Sequence, residues 1–141
     1  MATYNKFQNF VEDLGKGVHQ LHAAGHTLKV YLSNATPSAS LDAVIADLAE
    51  ISAGNGYTAG GADAQNDYTE TSGTGTLTCV DIVWTASGGT IGPFQYAVLY
   101  NDTPTSPLDP LIAWWDYGSA VTLQIGETFT VDFGASTFTL A

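Results

Sequence analysis

The sequence contains no arginine and only three lysines, Lys6, Lys16 and Lys29, against 14 acidic residues. Its formal net charge is −11. A nucleic-acid binder needs a basic surface to displace counterions from phosphates. This chain cannot supply one, and electrostatic attachment to an anionic membrane is excluded on the same ground. Without arginine there is no bidentate guanidinium clamp for a phosphate or carboxylate ligand. A single cysteine, Cys79, excludes an internal disulfide framework. No stretch approaches the ~18 uninterrupted apolar residues of a membrane-spanning helix. The first residues, MATYNKFQNFVEDL, lack the basic patch and apolar run of a secretory signal. Charged residues are only 12% of the chain while hydrophobic residues are 45%, which excludes intrinsic disorder.

What is present is one domain's worth of chain, 141 residues. Area scaling puts roughly 7,000 Å² on the folded surface and roughly 21,000 Å² on the unfolded one, enough burial for a core without staples. The charge is unevenly placed. All three lysines and all three histidines lie within the first 29 residues, together with only Glu12 and Asp13. That segment carries three positive and two negative charges, a formal +1, and residues 30–141 carry the other 12 acids and no base. Either the N-terminal piece lies on its own acidic body or it docks on something else.

Phe7, Phe10, Val11, Leu14, Val18 and Leu21 form a helical stripe over residues 3–22, weakened by Gly15 and Gly17 and ended by Gly25. Leu28, Val30 and Leu32 alternate with Lys29, Tyr31 and Ser33, the pattern of a strand. Leu41, Val44, Ile45, Leu48 and Ile51 make a second helical stripe, with Ser38 or Ser40 as N-cap. A glycine-rich loop over 54–75 follows. Strands are then expected near 76–86, 94–100, 111–116, 120–124, 128–133 and 137–140, with a hairpin at Ser87-Gly-Gly89. The expected fold is mainly β (α+β), an antiparallel β-sandwich or jelly-roll-like domain with two N-terminal helical segments. Residues 1–26 form a helical arm and residues 27–141 a single β-rich domain.

Chemistry-bearing constellations are few. His19, His22 and His26 fall within about 60° of one another on a helix and could present three imidazoles to zinc or nickel. Against this, they flank the apolar stripe, and Gly25 interrupts the helix. Asp81, Asp116 and Asp132 sit at strand positions, but nothing in their spacing brings two carboxylates together as a glycosidase needs. Asp63, Asp67 and Glu70 offer oxygen ligands for calcium without the spacing of a calcium loop. No G-x-S-x-G elbow is present, and Cys79 reads as a small buried residue. No catalytic residue, metal or cofactor is expected. Trp84, Trp114, Trp115 and Tyr117 could stack on sugar rings. Adjacent strand residues such as Trp114 and Trp115 face opposite sides, so an outward one marks a protein interface or a sugar platform.

The segments TLKVYLSNATPS (27–38), ADLAEISAGNGYTAGGA (46–62), WTASGGTIGPFQYAVLYNDT (84–103), PLIAWWDYG (110–118) and GETFTVDFGASTFTLA (126–141) resemble a widespread group of small tailed-bacteriophage virion structural proteins. The resemblance spans nearly the whole chain and is weakest over the first 26 residues. It implies a virion component, specifically a head decoration or cement protein bound outside the lattice of the major capsid protein. It implies a localisation on the capsid surface after synthesis in the host cytoplasm. It further implies self-association, as a homotrimer or a dimer. Three copies at −11 each would gather −33, a repulsion that apolar contact must offset. The candidate capsid or subunit contacts are Lys6, Phe7, Phe10 and Lys16 from the arm, with Phe94, Tyr96, Trp114 and Trp115 from the body. The rival expectation is a receptor- or carbohydrate-binding module of a phage head or tail fibre.

Overall fold

The computed structural model describes residues 2–141. Strand holds 44% of the chain and helix only 8%, which places the fold in the mainly-β class. In chain order the elements are strand β1 (Asn5–Lys6), helix α1 (Gln8–Gly15), β2 (Leu28–Ser33), β3 (Ala62–Asp63), β4 (Asp67–Thr71), β5 (Thr74–Thr78), β6 (Ile82–Thr85), β7 (Ile91–Asn101), β8 (Leu111–Leu123), β9 (Thr128–Val131) and β10 (Phe138–Leu140). A five-stranded antiparallel sheet has the order β1-β8-β7-β2-β3. A three-stranded sheet, β10-β5-β4, and a two-stranded ribbon, β6-β9, complete the sandwich-like arrangement.

The large sheet is buried on both faces at its centre. Leu28, Val30 and Leu32 of β2 and Ala97 and Leu99 of β7 point into one core, with Leu77, Ile82, Trp84, Val131, Phe133 and Phe138 of the smaller sheets and their flanks. The alternate residues Tyr31, Tyr96, Val98 and Tyr100 point into a second core with Phe7, Leu48 and Leu111. The strand expected from the alternation of Leu28, Val30 and Leu32 with Lys29, Tyr31 and Ser33 forms, and Tyr31 and Ser33 on its second face are fully buried.

The second core is covered by the irregular segment 34–61, where a second helix was expected. Only one 3-10 turn, Ile45–Asp47, forms there. The reason lies in the backbone bonds. Ile45 N–H donates to the Asp109 carbonyl (3.0 Å) and the Ala43 carbonyl accepts from Leu111 N–H (2.9 Å), so residues 43–45 pair with the 109–111 segment instead of with themselves. Asp47 then accepts from Ala43 and Val44 N–H at 2.9 and 3.1 Å. The stripe is split: Leu48 is buried, whereas Leu41 is exposed.

This strap also completes the edge of β2 that β3 leaves open, since β3 pairs only with Lys29 and Val30. Ile51 N–H donates to the Leu32 carbonyl (3.0 Å). The Tyr57 hydroxyl accepts from Leu32 N–H (3.0 Å) and donates to Glu50 Oε1 (2.7 Å). Glu50 Oε1 also accepts from Gly60 N–H (2.7 Å), and the Tyr100 hydroxyl donates to the Gly60 carbonyl (2.6 Å). The Tyr31 hydroxyl donates to the Leu48 carbonyl (2.9 Å). Burial raises all three tyrosines above the ordinary phenol range, so these hydroxyls keep their protons.

Residues 2–26 are not an arm that stands off the body. β1 pairs with β8, aligning Asn5 with Trp114 and Lys6 with Ala113. Phe7 enters the second core and Phe10 the first, at 0% and 2% exposure. Helix α1 ends at Gly15, well short of the expected limit. Gly17 has φ +78°, its N–H donates to the Leu14 carbonyl (3.2 Å), and Val18 N–H reaches back to the Asp13 carbonyl (2.9 Å). That pair of bonds is a Schellman stop.

The later strands differ in their breaks from the sequence reading. The expected strand 76–86 is two, β5 and β6, in different sheets, and the strands expected at 111–116 and 120–124 are one, β8. The hairpin lies at Ser72–Gly73 between β4 and β5, where both residues have positive φ (+53° and +85°). Ser87–Gly89 joins strands that do not pair, because β6 pairs with β9.

Gly61 and Gly17 have nearly equal backbone angles, φ +77° and +78°, in opposite surroundings. A Cβ on Gly61 would penetrate the Val30 carbonyl, whereas a Cβ on Gly17 would meet nothing within 4 Å. Gly17→Ala therefore costs about 1–2 kcal/mol of backbone strain, and Gly61→Ala costs about 4 kcal/mol or more. Urea denaturation of the two variants checks the difference; equal losses would mean that segment 34–61 does not lie on β2 as described.

Candidate functional site

An aromatic-walled groove of about 350 Å³ opens on the surface. Its floor is the end of the large sheet that the smaller sheets leave bare. Gln95 and Ala97 of β7 and Trp115 and Tyr117 of β8 form that side, and the run Phe129–Phe133 forms the facing wall. Register explains the recess. The small Ala97 is aligned with the large Trp115. Farther along, Phe94 aligns with Val121 and Tyr96 with Asp116, so the single residue Gln95 opposes Tyr117, Gly118, Ser119 and Ala120. The excess forms a β-bulge, a device that re-aims side chains. Gly118 takes φ +99° within it. Asp116 Oδ1 fixes the bulge by accepting from Gly118 N–H (2.7 Å) and from Gln95 Nε2 (2.9 Å).

Aromatic edges set the width. Tyr117 meets Phe129 at 5.6 Å between ring centroids with an interplanar angle of 79°. Trp115 meets Phe133 at 5.7 Å, also at 79°. Phe94 lies beneath and supports Phe129 at 4.8 Å. Tyr4 flanks Trp115 at 6.0 Å, and burial pushes its hydroxyl up to about 12. Tyr117 stands at the rim, 58% exposed. Ala2 also lines the groove, and among the described residues Asp132 is the one charged lining side chain, with no basic side chain beside it. Such a surface offers apolar and edge-to-face contact to a flat or extended ligand.

The expected contact residues are dispersed. Phe7, Phe10, Phe94 and Tyr96 are core residues, the last two at 0% and 8% exposure, and none can meet a partner in the folded chain. Trp114 and Trp115 are half-buried on opposite faces. Trp114 packs on Phe7 at 4.6 Å, and Trp115 enters the groove. Lys6 and Lys16 are exposed, and Lys16 pairs with Glu12 one helical turn away. Trp84 is buried against Tyr57 at 5.8 Å. Phe129, Val131 and Phe133 were missed, although T-F-T-V-D-F puts them on one face of a strand.

The remaining constellations serve the fold. Asp81 accepts from Phe133 N–H (2.9 Å) and Asp132 from Gly134 N–H (2.8 Å). Asp63, Asp67 and Glu70 accept from the backbone N–H groups of Gln65, Ala23 and Gly73 at 2.8, 3.1 and 2.5 Å. Among the described residues no three His, Cys, Asp or Glu side chains are placed to share a metal ion, and no helix is long and apolar enough to cross a membrane. Burial pushes the Cys79 thiol up to about 11, away from the reactive thiolate.

The three histidines lie beyond the helix end, so the one-face arrangement expected of them does not form. His22 is exposed, and His19 and His26 meet at Asn101. The Asn101 amide nitrogen donates to His19 Nδ1 (3.0 Å) and His26 Nδ1 (2.9 Å), while its oxygen accepts from Thr103 N–H (3.2 Å). An amide nitrogen has only protons to offer, so both imidazoles accept at Nδ1. His19 also packs edge-on against Phe10 at 5.1 Å. Burial, with the neighbouring His26, lowers His19 to about 4.

No family model, no curated protein and no solved structure matches this chain.

Two outcomes follow from these sites. The unfolded chain takes a proton on His19 as pH falls through about 6.5, and the folded chain resists until about 4. The stability contributed by neutral His19 is therefore full above about 6.5 and declines between those values, by about 3 kcal/mol in all. Denaturation of the native chain and of His19→Gln at pH 7 and pH 4 should show the stability difference between them shifting by that amount; a pH-independent difference would contradict the buried, amide-bonded imidazole. In the groove, Tyr117→Ala should change stability by no more than about 0.5 kcal/mol. Phe129→Ala, which removes a wall resting on Phe94, should cost about 2 kcal/mol or more. The reverse order in urea denaturation would contradict the assignment of rim and wall.

Proposed function

We propose that this chain is a bacteriophage head decoration, or cement, protein that binds the outside of the major capsid protein lattice and stabilises the head. The observation that carries the reading is the aromatic groove: a recessed, open apolar surface on a body that is otherwise acidic and glycine-punctuated. A decoration protein is present in many copies and must adhere to one partner while avoiding its neighbours. Net charge of −11 supplies the avoidance. Apolar rings without a neutralising base supply the adhesion. The resemblance of five segments to small tailed-phage virion proteins supports the same role. The double-sided burial of the central sheet suits a rigid shell component. Docking is assigned to the groove instead of to Phe7 and Phe10, which are spent on the core. A homotrimer is the assembly that fits this role.

A second reading is favoured by Tyr117 and Trp115, whose rings are open at one end of the groove as a sugar platform requires. It makes the chain a receptor- or carbohydrate-binding module of a head or tail fibre.

Quantitative gel analysis of purified virions separates the two. A copy number in whole-number or simple fractional ratio to the major capsid protein is expected of a decoration protein. A handful of copies per particle would transfer the chain to a fibre, and absence from the particle would overturn both readings.

A further inference from the structure

The groove has a feature that side-chain chemistry alone does not describe. Its wall is five consecutive residues, Phe129 to Phe133. β9 supplies the first three, Phe129 to Val131; side chains in a strand alternate between faces, so three in succession line a groove only if the backbone edge of the strand is itself part of the wall. β9 has such an edge. It pairs with β6 on one side and with no strand on the other among the described residues.

The hydrogen-bond parity identifies the free groups. Beside this ribbon, Ala86 N–H donates to the Glu127 carbonyl (3.0 Å) and its carbonyl accepts from Gly126 N–H (2.7 Å), a bulge at which Gly126 has φ +87°. Residue 86 thus faces its partner as a bonded pair. The aligned pairs are Thr85 with Thr128, Trp84 with Phe129, Val83 with Thr130 and Ile82 with Val131. Bonded and non-bonded pairs alternate in an antiparallel ladder. Phe129 and Val131 therefore spend their backbone groups on β6. Thr128 and Thr130 turn theirs outward, to the edge that borders the groove.

An unpaired strand edge is a template for another strand, and most proteins cover or charge it. Here the edge carries Thr128 and Thr130, with no lysine and no proline. The facing wall, Trp115 and Tyr117, stands on the part of β8 whose bulge Asp116 fixes, and it reaches Phe133 and Phe129 through ring edges alone, with no strand pairing between β8 and β9. A volume of about 350 Å³ is small for a ligand pocket. It suits the inward side chains of a short extended segment, not a folded module.

The charge selects the occupant. Among the described residues Asp132 is the only charged lining side chain, and Asp116 of β8 and Glu127, the residue before β9, are exposed. Two of the chain's three bases are paired elsewhere, Lys16 with Glu12 and Lys29 with Asp102 (2.8 Å). A second copy of the chain would bring more acid to this rim.

We infer that the outer edge of β9 accepts an extended segment of a partner protein as an added strand, with apolar side chains at alternate positions seated between Trp115, Tyr117 and Phe129 and with lysine or arginine flanking them. The mode is β-strand addition, in which backbone bonds supply affinity and alternate pockets supply selectivity. The inference rests on the groove being the docking site proposed above and names the chemistry of what docks there.

The probe is a synthetic capped heptapeptide in which lysines alternate with valine, tyrosine and valine. It is titrated into the full chain while backbone amide and Trp115 indole resonances are followed by NMR. Expected are shifts concentrated at Thr128, Thr130 and the Trp115 indole. Replacing the lysines by glutamates, or the central tyrosine by proline, should weaken binding at least tenfold, the first through charge and the second through the lost backbone donor. Tyr117→Ala in the protein, a rim change that the fold tolerates, should weaken it about tenfold as well. Three results would overturn the inference: equal binding of the three peptides, shifts that avoid β9, or no binding at millimolar peptide. So would a self-association, detected by sedimentation, that Tyr117→Ala abolishes and that accounts for protection of Thr128 and Thr130 without peptide. Perturbation of the same resonances by maltohexaose but not by peptide would likewise overturn it in favour of a sugar. The virion copy number is independent of all these outcomes, so the peptide can fail while the decoration role stands.

Discussion

Strands β2 and β7 are buried on both faces, and every other part of the molecule answers that constraint. A sheet so placed needs apolar cover on two sides and partners for its backbone along its whole length. The smaller sheets cover one side. The strap 34–61 covers the other and simultaneously completes the edge of β2, through the Tyr57 hydroxyl and the Glu50 carboxylate. The N-terminal residues finish the enclosure: Phe7 closes the second core and Phe10 the first. The groove lies where the enclosure stops, beyond Ala97, on the bulged end of β8.

That arrangement explains which parts of the structure could be read in the sequence. Strands bounded by turn residues were legible where the local pattern and burial agree: β9 and β10 by two-residue alternation, β7 by the continuous apolar run of a strand buried on both faces. The segment 41–51 carries a helical spacing and is not helical, because residues 43–45 bond to 109–111, a long-range pairing that no local window contains. Helix α1 is shorter than its stripe because the stop is a backbone device at Gly17, and the stripe continues past it only in name. The two-sided burial of Tyr31 and Ser33 was hidden for a similar reason: it depends on what the strap supplies.

The site was legible only in part. Trp115 and Tyr117 were identifiable as aromatics that could face outward. Phe129, Val131 and Phe133 could be placed on one strand face, but not opposite Trp115, because β8 and β9 belong to different sheets. The bulge that sets the groove's width needs four residues of β8 against one of β7, a register fact without a composition signal. Conversely, the basic N-terminal segment stood out in the sequence and proves to be part of the enclosure. Its polarity is used locally, in the Lys16–Glu12 pair and in the Asn101 amide that gathers two imidazoles.

The central claim is that adhesion resides at the groove between β8 and β9 and not at the N-terminal segment. Hydrogen–deuterium exchange of the chain bound to capsids purified without it, compared with the free chain, tests this most directly. Ala2 lines the groove and Tyr4 flanks Trp115, so residues 2–4 belong to the footprint. Slowed exchange at residues 115–120 and 128–133, with 5–16 unchanged, is the prediction. Slowed exchange confined to residues 5–16, with the groove unaltered, would contradict it.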